Sequence, residues 1–295
     1  MNKKFRKTLE PHAFMTPSYI VLALFMGYPL LNCIRLAFSN YKLTQLNNVT
    51  FAGLDNFIRI FQDRDIVMIT LNTVKFVAIT LILQLVLGFI LAMALKKPFR
   101  GRGLYQGLVF LPWAFSSFVV GLIFQWMFNA EFGPIVDVML KLGITSERIS
   151  FLGSPKLALY TVVVALVWQG IPFFGIMLLA ALQSVPEDLM EAAKLDGANV
   201  FQRFFHVTLP CIKPTLITTT LLRTVWIFNN TDLIYIMTKG GPANSSHTLA
   251  SYMFIKAYST LDFGYASALG VLFMLLLTLY TFFYMRITKF NREDA

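Results

Sequence analysis

The residues with most chemical promise lie inside otherwise apolar runs. Arg223, Trp226 and Asn230 stand at i, i+3 and i+7. On a helix turning about 100° per residue they fall within an arc of roughly 60°. Asn229 flanks that arc, and a continued helix would put Asp232 nearly opposite Arg223, about 13 Å further along. Arg223 and Asp232 are therefore not expected to pair. A second group is Trp168 and Gln169, just before Gly170 and Pro172, and a third is Trp113, after Pro112 and ahead of Ser116 and Ser117. An aromatic face beside amide and hydroxyl groups suits a sugar, which has apolar C–H faces and many hydroxyls. An arginine central to a membrane span costs about 2.5–3.5 kcal/mol, so it faces protein or water. Blander roles exist for each group. A tryptophan near a span end anchors at the interface, as is expected of Trp126. Asn229 and Asn230 can bond neighbouring helices. Arg223 can snorkel toward the cytoplasm, and Lys75 toward the nearer surface. Asp232 can serve as a structural partner near the outer mouth.

Catalytic and metal chemistry finds no support. The sequence lacks G-x-x-x-x-G-K-[ST], G-x-S-x-G, C-x-x-C and H-E-x-x-H. His12, His206 and His247 are scattered, and surface roles are expected of them. Cys33 and Cys211 lie far apart and read as small buried hydrophobes. The chain is expected not to be an enzyme and to hold no metal or cofactor of its own.

These residues must be positioned by membrane helices. The 295 residues are 57% hydrophobic and only 14% charged, where a soluble domain carries about 25% charge. The apolar runs predict an all-α polytopic membrane protein with six spans, at 14–38, 66–95, 104–129, 157–183, 212–237 and 264–288. Pro172 is expected to kink or open the fourth span, and Pro112-Trp113 to break the third. The basic N-terminus precedes a long apolar run with no small-x-small cleavage site, so a first membrane helix is expected there. A net charge of +10 does not point to nucleic acid, because Lys and Arg gather at span ends. An even span count puts both termini on one side. Fourteen basic residues fall on that side and eight on the other, which makes the first face cytoplasmic. Phe51 to Asp65, with Leu54, Phe57, Ile58 and Phe61 at helical spacing, predicts a short amphipathic helix at the outer interface. Lys239-Gly240-Gly241-Pro242 predicts the turn that stops the fifth span.

One polar stretch faces the cytoplasm in this topology: Ser184 to Pro210, SVPEDLMEAAKLDGANVFQRFFHVTLP. Ser184 with Glu187 predicts a capping box, and Pro186 suits a first turn. Gly197 predicts a left-handed close, Asn199 the cap of a second short helix to about Val207, and Leu209-Pro210 its end. The product is a helix-turn-helix knuckle. The low surface of Ala192 and Ala193, beside the charges of Glu191 and Asp196, admits a closely packed partner.

The knuckle resembles the EAA loop of ATP-binding-cassette importer permeases. Glu191-Ala192-Ala193, Gly197 and Leu209-Pro210 match in type and spacing, with Val207 where the pattern has Ile. Further blocks resemble the carbohydrate branch of that family, which includes the maltose and glycerol-phosphate types. They are Leu111-Pro112-Trp113, Met127-Phe128-Asn129, Trp168 to Phe173, and Asp232-Leu233-Ile234-Tyr235 followed by Thr238 to Pro242. The resemblance implies a type I importer fold with a cytoplasmic coupling helix. It implies that Glu191, Ala192, Ala193, Asp196, Gly197, Leu209 and Pro210 couple to an ATPase. It implies solute contacts on core spans, for which Trp113, Trp168, Gln169, Arg223, Trp226, Asn229, Asn230 and Asp232 are the candidates. The partners implied are a second, similar permease, two ATPase subunits that bind ATP and Mg, an external solute-binding protein and a saccharide, in a bacterial or archaeal cytoplasmic membrane. The expected division is 1–65 for the tail, first span and outer connection, 66–288 for the core, and 289–295 for a cytoplasmic tail. An alternative is a secondary transporter driven by an ion gradient. It would need intramembrane carboxylates, for which Asp232 is the clear candidate, and inverted repeats, which the sequence does not display.

Overall fold

The computed structural model describes residues 3–288; the expected C-terminal tail 289–295, with Lys289 and Arg292, lies outside the described residues. The elements run α1 (Lys3–Leu22), α2 (Tyr28–Ala37), β1 (Ser39–Asn40), β2 (Thr50–Phe51), α3 (Asp55–Gln62), α4 (Ile66–Lys96), α5 (Arg102–Ala114), α6 (Ser117–Met127), α7 (Pro134–Lys141), α8 (Ala158–Gln183), α9 (Glu187–Leu195), α10 (Val200–Arg203), α11 (Leu209–Phe228), α12 (Asp232–Met237), α13 (Leu249–Tyr258) and α14 (Phe263–Thr288). Among the described residues, helices long and apolar enough to cross a bilayer cover Phe14–Ala37, Ile66–Lys96, Ala158–Gln183 and Phe263–Thr288, matching four of the expected spans.

The other two expected spans are not single straight helices. Over 104–129 the chain bends by 93° between α5 and α6. Pro112 removes a donor near the end of α5, and the Ser116 hydroxyl caps α6 by accepting from the Val119 N–H at 3.4 Å. Over 212–237, α11 stops at Phe228. Asn229 turns its side-chain amide back to the Val225 carbonyl at 2.8 Å, and Asp232 opens α12, where a carboxylate suits the helix N-terminus. The Gly-Gly-Pro turn therefore ends α12, a short helix separate from α11. Thr238 and Ser246 tie that turn together, with their hydroxyls 2.8 Å apart.

The chain divides into two compact units, the described residues of Met1–Arg64 with Met253–Leu275, and those of Asp65–Tyr252 with Leu276–Ala295. In the first, β1 and β2 pair antiparallel, Ser39 opposite Phe51. The buried Asn56 side chain donates to the Ala37 and Ser39 carbonyls at 3.0 and 2.9 Å. Arg59 bridges to Asp262 at 2.6 Å, and the Tyr265 hydroxyl donates to Asp63 at 2.8 Å. The expected amphipathic helix is α3: Leu54, Ile58 and Phe61 at its outer face are exposed. Phe57 differs, turning to stack on Phe38 at 5.3 Å.

In the second unit α4 and α8 make the most extensive helix pairing. Small residues let the two backbones approach: a side chain at Gly88 would strike Phe174 and the Ile171 carbonyl, and one at Gly175 would meet Leu91. α8 runs through Pro172 without a break, so of the expected kink or opening the opening does not occur. Lys75 is exposed on α4, as expected of a snorkelling residue. His247 departs from its expected surface role. It is 2% exposed, its Nδ1 lies 3.0 Å from the Ser251 hydroxyl, and its ring fills the space above Gly240.

Candidate functional site

Polar groups from α4, α6, α8 and α11 meet at mid-helix depth. The Gln84 side chain, fully buried on α4, donates through Nε2 to the Leu166 carbonyl of α8 at 2.6 Å. Its Oε1 accepts from Arg223 Nε at 2.7 Å. Arg223 is 7% exposed, so the snorkelling alternative does not hold: its guanidinium points into the packed unit. The ends of both side chains occupy the space where a side chain at position 170 would stand. Only glycine there admits them, which ties Gly170 to the placement of the arginine.

The guanidinium also sits over the Phe173 ring, 5.8 Å from its centre. Phe173 in turn contacts Trp226 at 5.0 Å and Trp113 at 5.9 Å between ring centres. Beside this cluster opens a cleft of about 180 Å³. Its lining includes Trp113, Ser117, Gln169, Arg223, Trp226 and Asn230, so it gathers five of the eight expected solute-path residues. The Asn230 side-chain oxygen is buried there without a hydrogen-bond partner. Gln169 has a structural task as well. Its amide donates to the Phe115 carbonyl at 3.0 Å, satisfying a group that the bend between α5 and α6 frees.

The remaining three candidates lie elsewhere. Trp168 packs on Phe124, 5.5 Å between ring centres. Asn229 is exposed, with its side chain spent on the Val225 carbonyl. Asp232 is exposed at the start of α12. Because α11 ends at Phe228, the extrapolation of about 13 Å along one helix does not apply to it. Sequence reading missed Gln84 and Phe173. A glutamine central to a long apolar run is itself a signal, since such a group needs a partner inside a membrane. Phe173 carried no signal, because phenylalanine is ordinary in any apolar helix.

The second place is the knuckle. α9 begins after Pro186, and Gly197 follows at φ +80°, the left-handed close expected of it. Ser184 does not form the expected capping box. It closes α8, donating its hydroxyl to the Ala181 carbonyl at 2.9 Å. Asn199 makes one instead. Its side chain accepts from the Gln202 N–H at 2.9 Å, while Gln202 accepts from the Asn199 N–H at 2.8 Å. The helix after that cap does not end at Leu209-Pro210. It passes through one wide turn, in which the Leu209 N–H reaches the Phe204 carbonyl, and continues as α11. The wide turn accommodates Pro210, which has no N–H to give to the preceding turn.

Inner residues of the knuckle grip the membrane helices. Met190, Val207 and Leu209 pack on the apolar cluster of α4 and α8, and Phe204 meets Phe89 at 5.6 Å. Its outer residues are more open: Glu191, Ala192, Asp196 and Pro210 are exposed and Ala193 is half-buried, as is the inward-packed Leu209. Leu195 is 89% exposed and Phe201 76%. A cleft of about 430 Å³ beside them includes Lys96, Val185, Glu187, Met190, Glu191 and Lys194 in its lining. Among the described residues no group of three His, Cys, Asp or Glu side chains could hold a metal.

Residues 84–292 match the family model described as the binding-protein-dependent transport system inner membrane component. The chain is 31% identical to the trehalose/maltose transport system permease protein MalF of Thermococcus litoralis, over 98% of this chain and 97% of that one. It is 35% identical to the sulfoquinovosyl glycerol transport system permease protein SmoG of Agrobacterium fabrum, over 93% and 89%. In fold it is similar to a chain in the crystal structure of a bacterial ABC transporter involved in the import of the acidic polysaccharide alginate. The TM-score is 0.83 with 21% identity, over 97% of this chain and 99% of that chain. The type I importer fold is therefore the fold of this chain, its relatives are transport subunits and not enzymes, and the ion-gradient alternative is left without support. A long apolar helical chain, a capped knuckle gripping its membrane helices and a match across residues 84–292 together make it a member of the binding-protein-dependent transport system inner membrane component family.

Proposed function

We propose that the chain is the permease subunit of an ATP-driven saccharide importer. In this reading solute passes the cleft under Trp113, Arg223 and Trp226, between this chain and a second, similar permease. The knuckle docks on one of two ATPase subunits, which bind ATP with its Mg ion. An external binding protein delivers the solute, and both termini lie in the cytoplasm. Closing of the ATPase pair would move the knuckle. Met190, Phe204, Val207 and Leu209 would carry that motion into α4, α8 and α11, because packed side chains transmit displacement with little compression. The relatives named for trehalose/maltose and sulfoquinovosyl glycerol transport support a saccharide as cargo.

The observation that carries the reading is the bare end of the knuckle. Leu195 and Phe201 stand almost fully exposed on a polar loop beside Glu191 and Asp196. An apolar patch rimmed by charge is the character of a protein-docking face. Reversing the charge there tests it. Glu191→Arg is expected to abolish ATP-coupled uptake in proteoliposomes while the chain still inserts and co-purifies with the second permease. Unchanged uptake would remove the docking role.

A further inference from the structure

We infer that the cleft on α11 selects a saccharide carrying one anionic group, a carboxylate or sulfonate, which Arg223 receives. The inference rests on the reading of the cleft as the solute path and names the class of solute it takes. Its starting point is an unbalanced charge. Arg223 is 93% buried by its 7% exposure. Only its Nε is hydrogen-bonded, to a neutral amide, and the two terminal nitrogens have no hydrogen-bond acceptor among the described residues. No carboxylate lines the cleft.

A buried cation without a counter-charge is destabilising, yet here the surroundings are shaped to hold it. Gln84 fixes Nε, Phe173 supports the guanidinium plane, and the bare backbone at Gly170 makes room. With Nε held by Gln84 and one terminal nitrogen lodged against the backbone at Gly170, the other terminal nitrogen is left to meet an anion from the cleft that Arg223 lines. It can donate a charge-assisted hydrogen bond to one oxygen of a carboxylate or sulfonate. The rest of the cleft is what the sugar around such an anion would meet. Asn230 holds a buried oxygen that lacks a donor, which a sugar hydroxyl can supply. Trp113 and Trp226 offer rings to the C–H face. One cation matches one negative charge. A phosphomonoester, with close to two, would remain half unbalanced.

The test uses the assembled transporter in nanodiscs without nucleotide, following tryptophan fluorescence on titration with matched pairs: glucose against glucuronate, and cellobiose against cellobiouronate. Wild-type protein is expected to bind the acid at least about tenfold more tightly than its neutral partner, an increment of about 1.4 kcal/mol. In Arg223→Gln that ratio should fall to near one, whatever the change in neutral-sugar affinity; Arg223→Lys should keep part of the preference. Equal binding of acid and neutral sugar by the wild type overturns the inference and leaves the solute path standing. An acid preference that survives in Arg223→Gln also overturns it, because the anion is then held elsewhere. Loss of assembly with a carboxylate of the second permease cross-linked near position 223 overturns it too, since the arginine is then already paired. If neither sugar of any pair binds, the reading of the cleft as a solute path fails together with the inference.

Discussion

At the scale of single residues, the buried chain Arg223–Gln84–Leu166 carbonyl is the most constrained feature of the site. Each link is short, at 2.7 and 2.6 Å, and each joins a different helix. Gln84→Leu would keep the volume but strip Arg223 of its acceptor. In a membrane, where alternative partners are few, interhelical hydrogen bonds contribute about 0.6–2 kcal/mol. The substitution removes two such bonds, to Arg223 and to the Leu166 carbonyl, and is expected to lower the unfolding free energy of the detergent-solubilised complex by that order for each, read as a lower unfolding midpoint. An unshifted midpoint would show that the arginine is held by packing alone. Gln84 was legible in the sequence as a polar residue far inside an apolar run. Its partner was not, because 139 residues separate it from Arg223, and only the packing of α4 against α11 makes them neighbours.

At the scale of elements, the knuckle has the expected left-handed turn at Gly197 and differs from expectation at its two ends. Gly197 and Asn199 are local devices: each acts on backbone groups within a few residues, so their types and spacing are sufficient evidence. Ser184 and Pro210 are ambiguous locally. Ser184 stands between two helices and can serve either, and it closes α8. Pro210 can end a helix or follow a wide turn within one, and the packing of Phe204 and Val207 selects the second. The cap on α10 gives a prediction at this scale. Asn199→Ala is expected to destabilise the knuckle by about 1 kcal/mol. Faster amide hydrogen exchange over 199–205, with exchange in α8 unchanged, would register it; equal exchange in both proteins would refute it. The membrane helices differ among themselves as well. In α8 67% of the most apolar stretch is buried, against 6% for Phe14–Ala37. Apolar periodicity finds both, but which helix is central depends on what packs around it.

At the scale of the whole molecule, orientation is the property that basic residues alone had to decide. Some of the cations expected on the outer side are tied to carboxylates, as Arg59 is to Asp262 and Arg148 to Asp137. The bias counts Lys and Arg and not net charge, so this pairing leaves the expected orientation unchanged. The orientation yields a direct measurement. In a Cys33→Ser, Cys211→Ser background, Leu195→Cys is expected to react with a membrane-impermeant maleimide only after cells are permeabilised. Labelling of intact cells would invert the topology and with it the assignment of the knuckle to the cytoplasm.

The sequence by itself determined what depends on local chemistry and composition. That covers a helical membrane chain, the left-handed turn at Gly197, the cap at Asn199 and the family to which the motifs point. Tertiary structure decided what depends on distant segments meeting. It split α11 from α12 and buried His247 under its turn, whereas the break of the third span, expected near Pro112-Trp113, follows from local chemistry. It also brought Trp113, Gln169, Arg223, Trp226 and Asn230 to one cleft while leaving Trp168, Asn229 and Asp232 outside. The physical reason is range: caps and turns are settled within a few residues, whereas the partner of a buried polar side chain is chosen by whichever helix the packing places beside it.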